Sequence, residues 1–128
     1  MQTEVPSVPL QETFDRVARH LRRQGGPSTK EGPGGRTICA YRGNGGRMCA
    51  AGCLIPDELY RFEMESRSVA DDQPAGVVIA SLGHDLGLVA SLQGLHDGIA
   101  LSWSEAGLLA GLRELAGGFG LNCDALSG

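Results

Sequence analysis

Aromatic residues and long apolar runs are both scarce in this sequence. Aromatic side chains make up 5% of the 128 residues, so few are available as stacking platforms for single-stranded nucleic acid. No apolar run approaches the roughly 18 to 20 residues that a membrane-spanning helix needs. The segment from Met1 to Pro9 lacks the basic and apolar regions of a signal peptide. We therefore expect a cytoplasmic protein with no membrane contact.

Motifs for common small-molecule chemistry are also missing. The 20 glycines form neither G-x-G-x-x-G nor G-x-x-x-x-G-K-[ST], the patterns in which backbone amides cradle a phosphate. The acidic residues do not have the spacing of the oxygen ligands in a calcium-binding loop. With no catalytic signature elsewhere, the sequence predicts a protein that is not an enzyme.

Helical periodicity is the strongest structural signal. Leu10, Phe14, Val17 and Leu21 recur at helical spacing and predict an amphipathic helix over 9–24. Three further helices are predicted: a short one from Pro56 to about Phe62, one over 84–97, and a last one that starts at Trp103 after a capping box of Ser102 and Glu105 and ends at Gly117-Gly118. Periodicity does not decide between helix and strand for 76–82.

A short hairpin is predicted in the middle of the chain. Thr37 to Tyr41 has the composition of a strand, Gly43 to Gly46 is a turn signal, and Arg47 to Cys49 is the return strand. The fold class is therefore α+β: a single small domain over 1–128, mainly helical, with one short β-hairpin packed on three to five helices. Residues 1–8 and 25–36 are expected to be flexible, and no internal repeat is evident.

The four cysteines are too few for a disulfide scaffold and are expected to be thiols or metal ligands. A zinc site would use Cys39, Cys49 and Cys53, with a fourth ligand from His84, His96 or Cys123, and His96 is our candidate. A three-residue hairpin loop would pair Cys39 with Cys49, whereas a two- or four-residue loop would place them on opposite faces.

Two alternatives to a zinc site remain open. The cysteines are favoured as small buried hydrophobic residues, so no cofactor is the first expectation. Cys49 could instead be a reactive thiol at the start of a helical segment, with His84 or His96 nearby. His96 and Asp97 could form an oriented base, although a histidine near a helix C-terminus is favourable for electrostatic reasons alone.

Charge is distributed unevenly along the chain. Residues 1–50 carry eight Lys/Arg and four Asp/Glu, whereas 51–128 carry three and eleven. Such polarity can steer partners, although two solvated surfaces would give the same pattern. The candidate partner-binding residues are charged positions expected to be exposed: Arg19, Arg22, Arg23, Arg42, Arg47, Glu63, Glu65, Asp71 and Asp72. Nucleic-acid binding is not favoured, because the sequence pI is about 5.3 and no nucleic-acid-binding motif is present.

Three segments resemble a group of small phage and prophage proteins that have no established reaction. The shared elements are an F-x-x-V-x-x-H-L-R-x-Q-G helix from Phe14 to Gly25, a C-x-Y-R hairpin from Cys39 to Arg42, and a C-A-x-G-x-L-I-P-D-E-x-Y segment from Cys49 to Tyr60. Leu92, Gln93, His96, Asp97 and Trp103 match later elements of the same pattern.

The resemblance implies an accessory protein that acts in the host cytoplasm by binding a host or phage protein complex. Inhibition of a defence system such as CRISPR–Cas is the class of activity that this analogy suggests. Two alternatives from other classes are a zinc-stabilised, nucleic-acid-associated module and a cysteine-dependent enzyme.

Overall fold

The structure is a computed structural model that describes residues 7–127. Within that range, four α-helices and one two-stranded antiparallel sheet confirm the α+β fold class. The helices are α1 (Leu10–Gln24), α2 (Pro74–Ser81), α3 (Leu86–Ile99) and α4 (Glu105–Phe119), and the strands are β1 (Thr29–Glu31) and β2 (Thr37–Cys39). The remaining chain consists of single 3₁₀ turns and extended connections.

One core is shared by α1, α3 and α4. The periodic apolar side chains of α1, among them Phe14 and Leu21, are completely buried, as are Leu92 of α3 and Leu112 of α4. The predicted helix over 9–24 is thus confirmed. It ends as expected at Gly25, whose φ of 74° is left-handed and whose N–H donates to the Leu21 carbonyl over 3.1 Å.

The later helices differ from the prediction at their ends. The N-cap of α4 is Ser104, which accepts a hydrogen bond from the Gly107 N–H, and not Ser102. Ser102 is unavailable because a 3₁₀ turn from Ala100 to Ser102 follows α3 directly. The helix also runs through Gly117-Gly118 and ends at Gly120, which has the left-handed φ of 69° that suits a C-cap.

Two segments of the central chain have structures that the sequence did not predict. Within 76–82, residues 76–81 belong to α2, which begins at Pro74, and Leu82 is the C-cap of this helix. The helix predicted from Pro56 to about Phe62 is wrong. Two separate 3₁₀ turns, Asp57–Leu59 and Phe62–Met64, occupy this part of the chain, because the backbone becomes extended between them at Tyr60 and Arg61.

The predicted hairpin pairing is wrong as well. Strand β2 pairs with β1 on its N-terminal side, in the register Thr29↔Cys39, inside the segment that was expected to be a flexible loop. On its C-terminal side the chain makes only an isolated bridge between Arg42 and Met48. That bridge encloses a five-residue loop, so neither register considered for Cys39 and Cys49 occurs.

A short sequence pattern occurs twice, once on each side of β2. The pattern G-x-G-G-R occurs at Gly32–Arg36, here called the first glycine loop, and again at Gly43–Arg47, the second glycine loop. The two loops have nearly the same backbone, with φ of 73° and 77° at the third and fourth positions of the first loop and 71° and 76° in the second. The expectation of no internal repeat was therefore wrong.

None of the helices in residues 7–127 combines the length and the apolar character that a bilayer span requires.

Candidate functional site

The outer side of α1 carries a row of arginines. Arg16, Arg19 and Arg23 are exposed and share one face of the helix, because the opposite face is buried in the core. None of the three makes an ion pair or a hydrogen bond with any residue in 7–127. These side chains are therefore available to bind an external group.

Hydrogen bonds to the backbone of Met48 hold the second glycine loop beside the arginines of α1. The Met48 N–H donates to the Gln24 carboxamide over 2.8 Å, and the Met48 carbonyl accepts from Gln24 Nε2 and His20 Nε2 at 3.0 and 2.9 Å. Gln24 Nε2 also donates to the Gly26 carbonyl at 2.9 Å. These contacts place Arg47, the residue before Met48, next to the C-terminal end of α1.

Two adjoining depressions follow from this arrangement. A groove of about 730 Å³ runs along α1 and is lined by Arg16, Arg19 and Arg23, with Met48 and Cys53 also on its wall. A smaller depression of about 320 Å³ joins Arg23 to Arg47 and the glycines of the second loop. We call Arg16, Arg19, Arg23 and Arg47 the basic face. Arg16 was not among the predicted contact residues, although its helical spacing to Arg19 and Arg23 could have identified it.

Arg22 lies outside the basic face. Its Nε donates to Glu105 at 3.1 Å and its Nη1 to the Ala125 carbonyl at 3.2 Å. The guanidinium therefore ties α1 to the start of α4 and to the C-terminal turn.

Arg42 is also engaged within the fold. It donates to the carbonyls of Gly52 and Ile55 at 2.8 and 2.7 Å, pairs with Asp57 at 3.2 Å, and stacks 4.7 Å from the centre of the Tyr60 ring. These contacts fix the segment that follows the second glycine loop.

Glu65 is a buried acceptor of several hydrogen bonds and not an exposed acidic residue. Its side chain is 4% exposed and accepts from the backbone N–H groups of Tyr41 and Arg42 and from the Tyr60 hydroxyl. Lys30 Nζ lies 3.8 Å from the same carboxylate.

The other three predicted acidic contacts lie on the surface. Glu63, Asp71 and Asp72 are exposed on the connection that leads to α2. None of them lines the depressions of the basic face.

Of the four predicted zinc ligands, only Cys39 and His96 come together. Their ligand atoms and a carboxylate oxygen of Asp97 lie within 4.8 Å of one another, and neither Cys49 nor Cys53 joins this group in residues 7–127. Asp97 was not in the predicted set, although its position directly after His96 could have suggested it. His96 is completely buried, and its ring packs edge-on against Trp103.

The hydrogen bonds of His96 determine where its ring proton lies. The Ser28 N–H donates to Nε2 over 2.9 Å, so Nε2 presents a lone pair. The proton is therefore on Nδ1, which donates to Asp97 Oδ1 at 2.9 Å. A zinc ion at Nδ1 would require the proton to move to Nε2, where it would face the Ser28 N–H. Zinc-binding histidines usually donate their second N–H to an acceptor, so the surroundings of His96 have the wrong polarity for such a site.

The thiols of the predicted site are weakly acidic. Burial, together with the nearby Asp97 carboxylate, raises the pKa of Cys39 to about 11. Burial likewise raises the pKa of Cys49 and of Cys53 to about 12. Thiols with such pKa values are protonated at neutral pH, whereas a nucleophilic cysteine acts as its thiolate.

Comparisons with known proteins do not assign a function to the candidate sites. No family model, curated protein or solved structure matches this chain.

Proposed function

We propose that this chain is a small phage-type accessory protein that acts without catalysis, by binding an acidic surface of a host or phage protein complex through its basic face. Inhibition of a host defence system such as CRISPR–Cas is the activity class that we favour. The single observation that carries the proposal is the basic face itself: four exposed arginines on adjoining depressions, with Arg16, Arg19 and Arg23 free of partners within residues 7–127.

The composition of the groove supports a protein partner over nucleic acid. Glu12 and Asp15 line the groove beside the arginines, and Met48 and Cys53 add apolar surface. A protein surface that binds along a phosphate backbone is favoured by uninterrupted positive charge. Mixed charges and apolar contacts are instead typical of protein interfaces.

The state of the thiols supports a role without catalysis. A cysteine nucleophile acts as its thiolate, whereas burial raises the pKa of Cys39 to about 11 and the pKa of Cys49 and of Cys53 to about 12. These thiols are protonated at neutral pH. The cysteine-dependent enzyme is therefore the less favoured alternative.

The proposal is tested by capture experiments with matched charge reversals. Arg23→Glu and Arg47→Glu place acidic charge on the basic face. Arg36→Glu makes the same change at the equivalent position of the first glycine loop, away from the two depressions. We expect wild-type protein and Arg36→Glu to recover the same stoichiometric protein from nuclease-treated host lysate, and both basic-face variants to lose at least about 90% of it, since charge reversal at an interface costs several kcal/mol.

Two outcomes would overturn the proposal. Equal recovery by all four proteins would show that the basic face is not the binding surface. Recovery that disappears after nuclease treatment would favour nucleic acid as the partner. A parallel measurement of the melting temperature with equimolar Zn²⁺ addresses the zinc-stabilised alternative: no increase is expected, and a clear increase would favour it.

A further inference from the structure

A second cleft lies between α3 and the chain that follows Glu65. It has a volume of about 500 Å³. Ala90, Gln93, Gly94 and Asp97 form one wall, at positions that share a face of α3, and the opposite wall is formed by 66–70 and the chain that leaves β2. This cleft does not include any residue of the basic face.

The wall opposite α3 is held in place from within. The Tyr41 hydroxyl donates to the Arg67 carbonyl at 2.8 Å, and Glu65 accepts from the Tyr41 N–H at 2.9 Å. Ser66, at the rim, has a φ of 62° and is the only residue other than glycine with a left-handed backbone in 7–127. Such a conformation is strained for a residue that has a side chain, and it persists where surrounding contacts enforce it. The backbone of this wall is thus held by contacts within the fold.

Asp97 is the anion of this cleft, and a buried hydrogen-bond chain fixes its orientation. The Ser28 N–H donates to His96, and His96 Nδ1 donates to Asp97 Oδ1. Gln93 Nε2 donates to the same oxygen at 2.9 Å. The Asp97 side chain is still 46% exposed, so a carboxylate aimed by buried groups is accessible to solvent at the cleft.

The two donors on Oδ1 restrict what the carboxylate can bind. His96 and Gln93 both donate to Oδ1, and the Cys39 thiol also interacts with the carboxylate, so at most one oxygen is left for an incoming group. A guanidinium binds a carboxylate best through both oxygens, whereas an ammonium is a point charge that needs only one. Ala40, Val69 and Ala90 also line the cleft, and Ala90, which is exposed, offers apolar surface to a short stem.

From this geometry we propose that the cleft between α3 and 66–70 binds a primary ammonium group on a short apolar stem, with Asp97 as its counter-ion. Arg67 lies at the rim, and its guanidinium is directed towards Gln73 at 3.4 Å. The ammonium group could belong to a free alkylamine or to a lysine side chain of a bound protein. Both share the chemistry of the site.

The test is a titration of ¹⁵N-labelled protein with n-butylammonium chloride at constant ionic strength. We expect saturable shifts of the Ala90 and Gly94 amides and of the Gln93 side-chain NH₂. Asp97→Asn, which keeps the shape of the side chain, should weaken binding by about tenfold or more, because the ammonium group then loses the charge of its counter-ion. Glu114→Gln, an equivalent neutralisation on the exposed side of α4, should leave binding unchanged.

Other ligands and a second variant distinguish recognition of the ammonium group from non-specific binding. 1-Butanol and n-butylguanidinium should both bind more weakly than n-butylammonium. Gly94→Leu fills the cleft without changing its charge and should abolish the shifts even where Asp97→Asn does not fold. A lysine tripeptide with blocked ends that binds more tightly than n-butylammonium would identify a protein lysine as the ligand, and the reverse order would identify a free amine. Equal binding of 1-butanol, or unchanged binding by Asp97→Asn, would overturn the proposal.

Discussion

The two glycine loops have the same sequence pattern and almost the same backbone, but their surroundings differ. In each loop the N–H of the first glycine donates to the carbonyl of the closing arginine, at 2.6 Å from Gly32 and 2.9 Å from Gly43. The first loop projects from the end of the β1–β2 hairpin, and its arginine is exposed. The second loop is fastened to α1 through Met48. Local sequence therefore sets the shape of a loop, while tertiary contacts decide which copy lies beside the arginines of α1.

The largest predicted difference between the loops is at their first glycine. A Cβ on Gly43 would lie 2.7 and 2.8 Å from the backbone N and O of Thr29, and backbone atoms of a strand cannot easily move aside. A Cβ on Gly32 would lie 2.9 to 3.2 Å from three side-chain carbons of Ile38, a half-buried side chain that can be displaced more easily than a backbone. We expect Gly43→Ala to lower the free energy of unfolding by about 3 kcal/mol or more and Gly32→Ala to change it by about 1 kcal/mol or less.

Urea unfolding of the two variants measures this difference. Both glycines have an extended backbone, so alanine is compatible with either conformation and only the packing differs. Similar costs for the two substitutions would show that the second loop does not pack as closely against β1 as the contacts indicate.

The next effect concerns the side chain that fastens the second loop. Gln24→Ala removes the acceptor of the Met48 N–H and both donors from Gln24 Nε2. We expect the free energy of unfolding to fall by about 2 kcal/mol, because an unsatisfied half-buried backbone group costs about 1 to 3 kcal/mol. Hydrogen exchange should become faster at the Met48 amide and remain unchanged at the Gly32 amide, which is bonded within the first loop. Equal acceleration at both amides would contradict a role specific to the second loop.

Features determined by neighbouring residues could be predicted from the sequence. The apolar stripe of α1 and its glycine cap are local, and both were found where periodicity placed them. The N-cap of α4 was misplaced because Ser102 and Ser104 are both capping residues, and only the packing of the preceding turn excludes Ser102.

The strand pairing could not be predicted, and the repeat explains why. β2 is flanked by two loops of the same pattern, and each can reverse the chain. The pairing that forms is joined to α3 through Ser28, whose carbonyl accepts from the Ala40 N–H and whose own N–H donates to His96. That contact joins residues far apart in the chain, as does the approach of Cys39 to Asp97. No local pattern encodes either of them.

The smallest predicted effect is one in which the loops should not differ. Gly34 and Gly45 occupy equivalent positions, with φ of 73° and 71°, and a Cβ on either would meet nothing within 4 Å. Alanine at each position should therefore cost only the strain of a left-handed backbone, about 1 kcal/mol. Gly34→Ala and Gly45→Ala should give free energies of unfolding within about 0.5 kcal/mol of each other, the usual range for surface substitutions that touch nothing else. A larger loss of unfolding free energy for Gly45→Ala would mean that contacts with α1 stabilise the second loop at Gly45 as well as at Met48. The shape of this loop would then depend on its tertiary contacts as well as on its sequence.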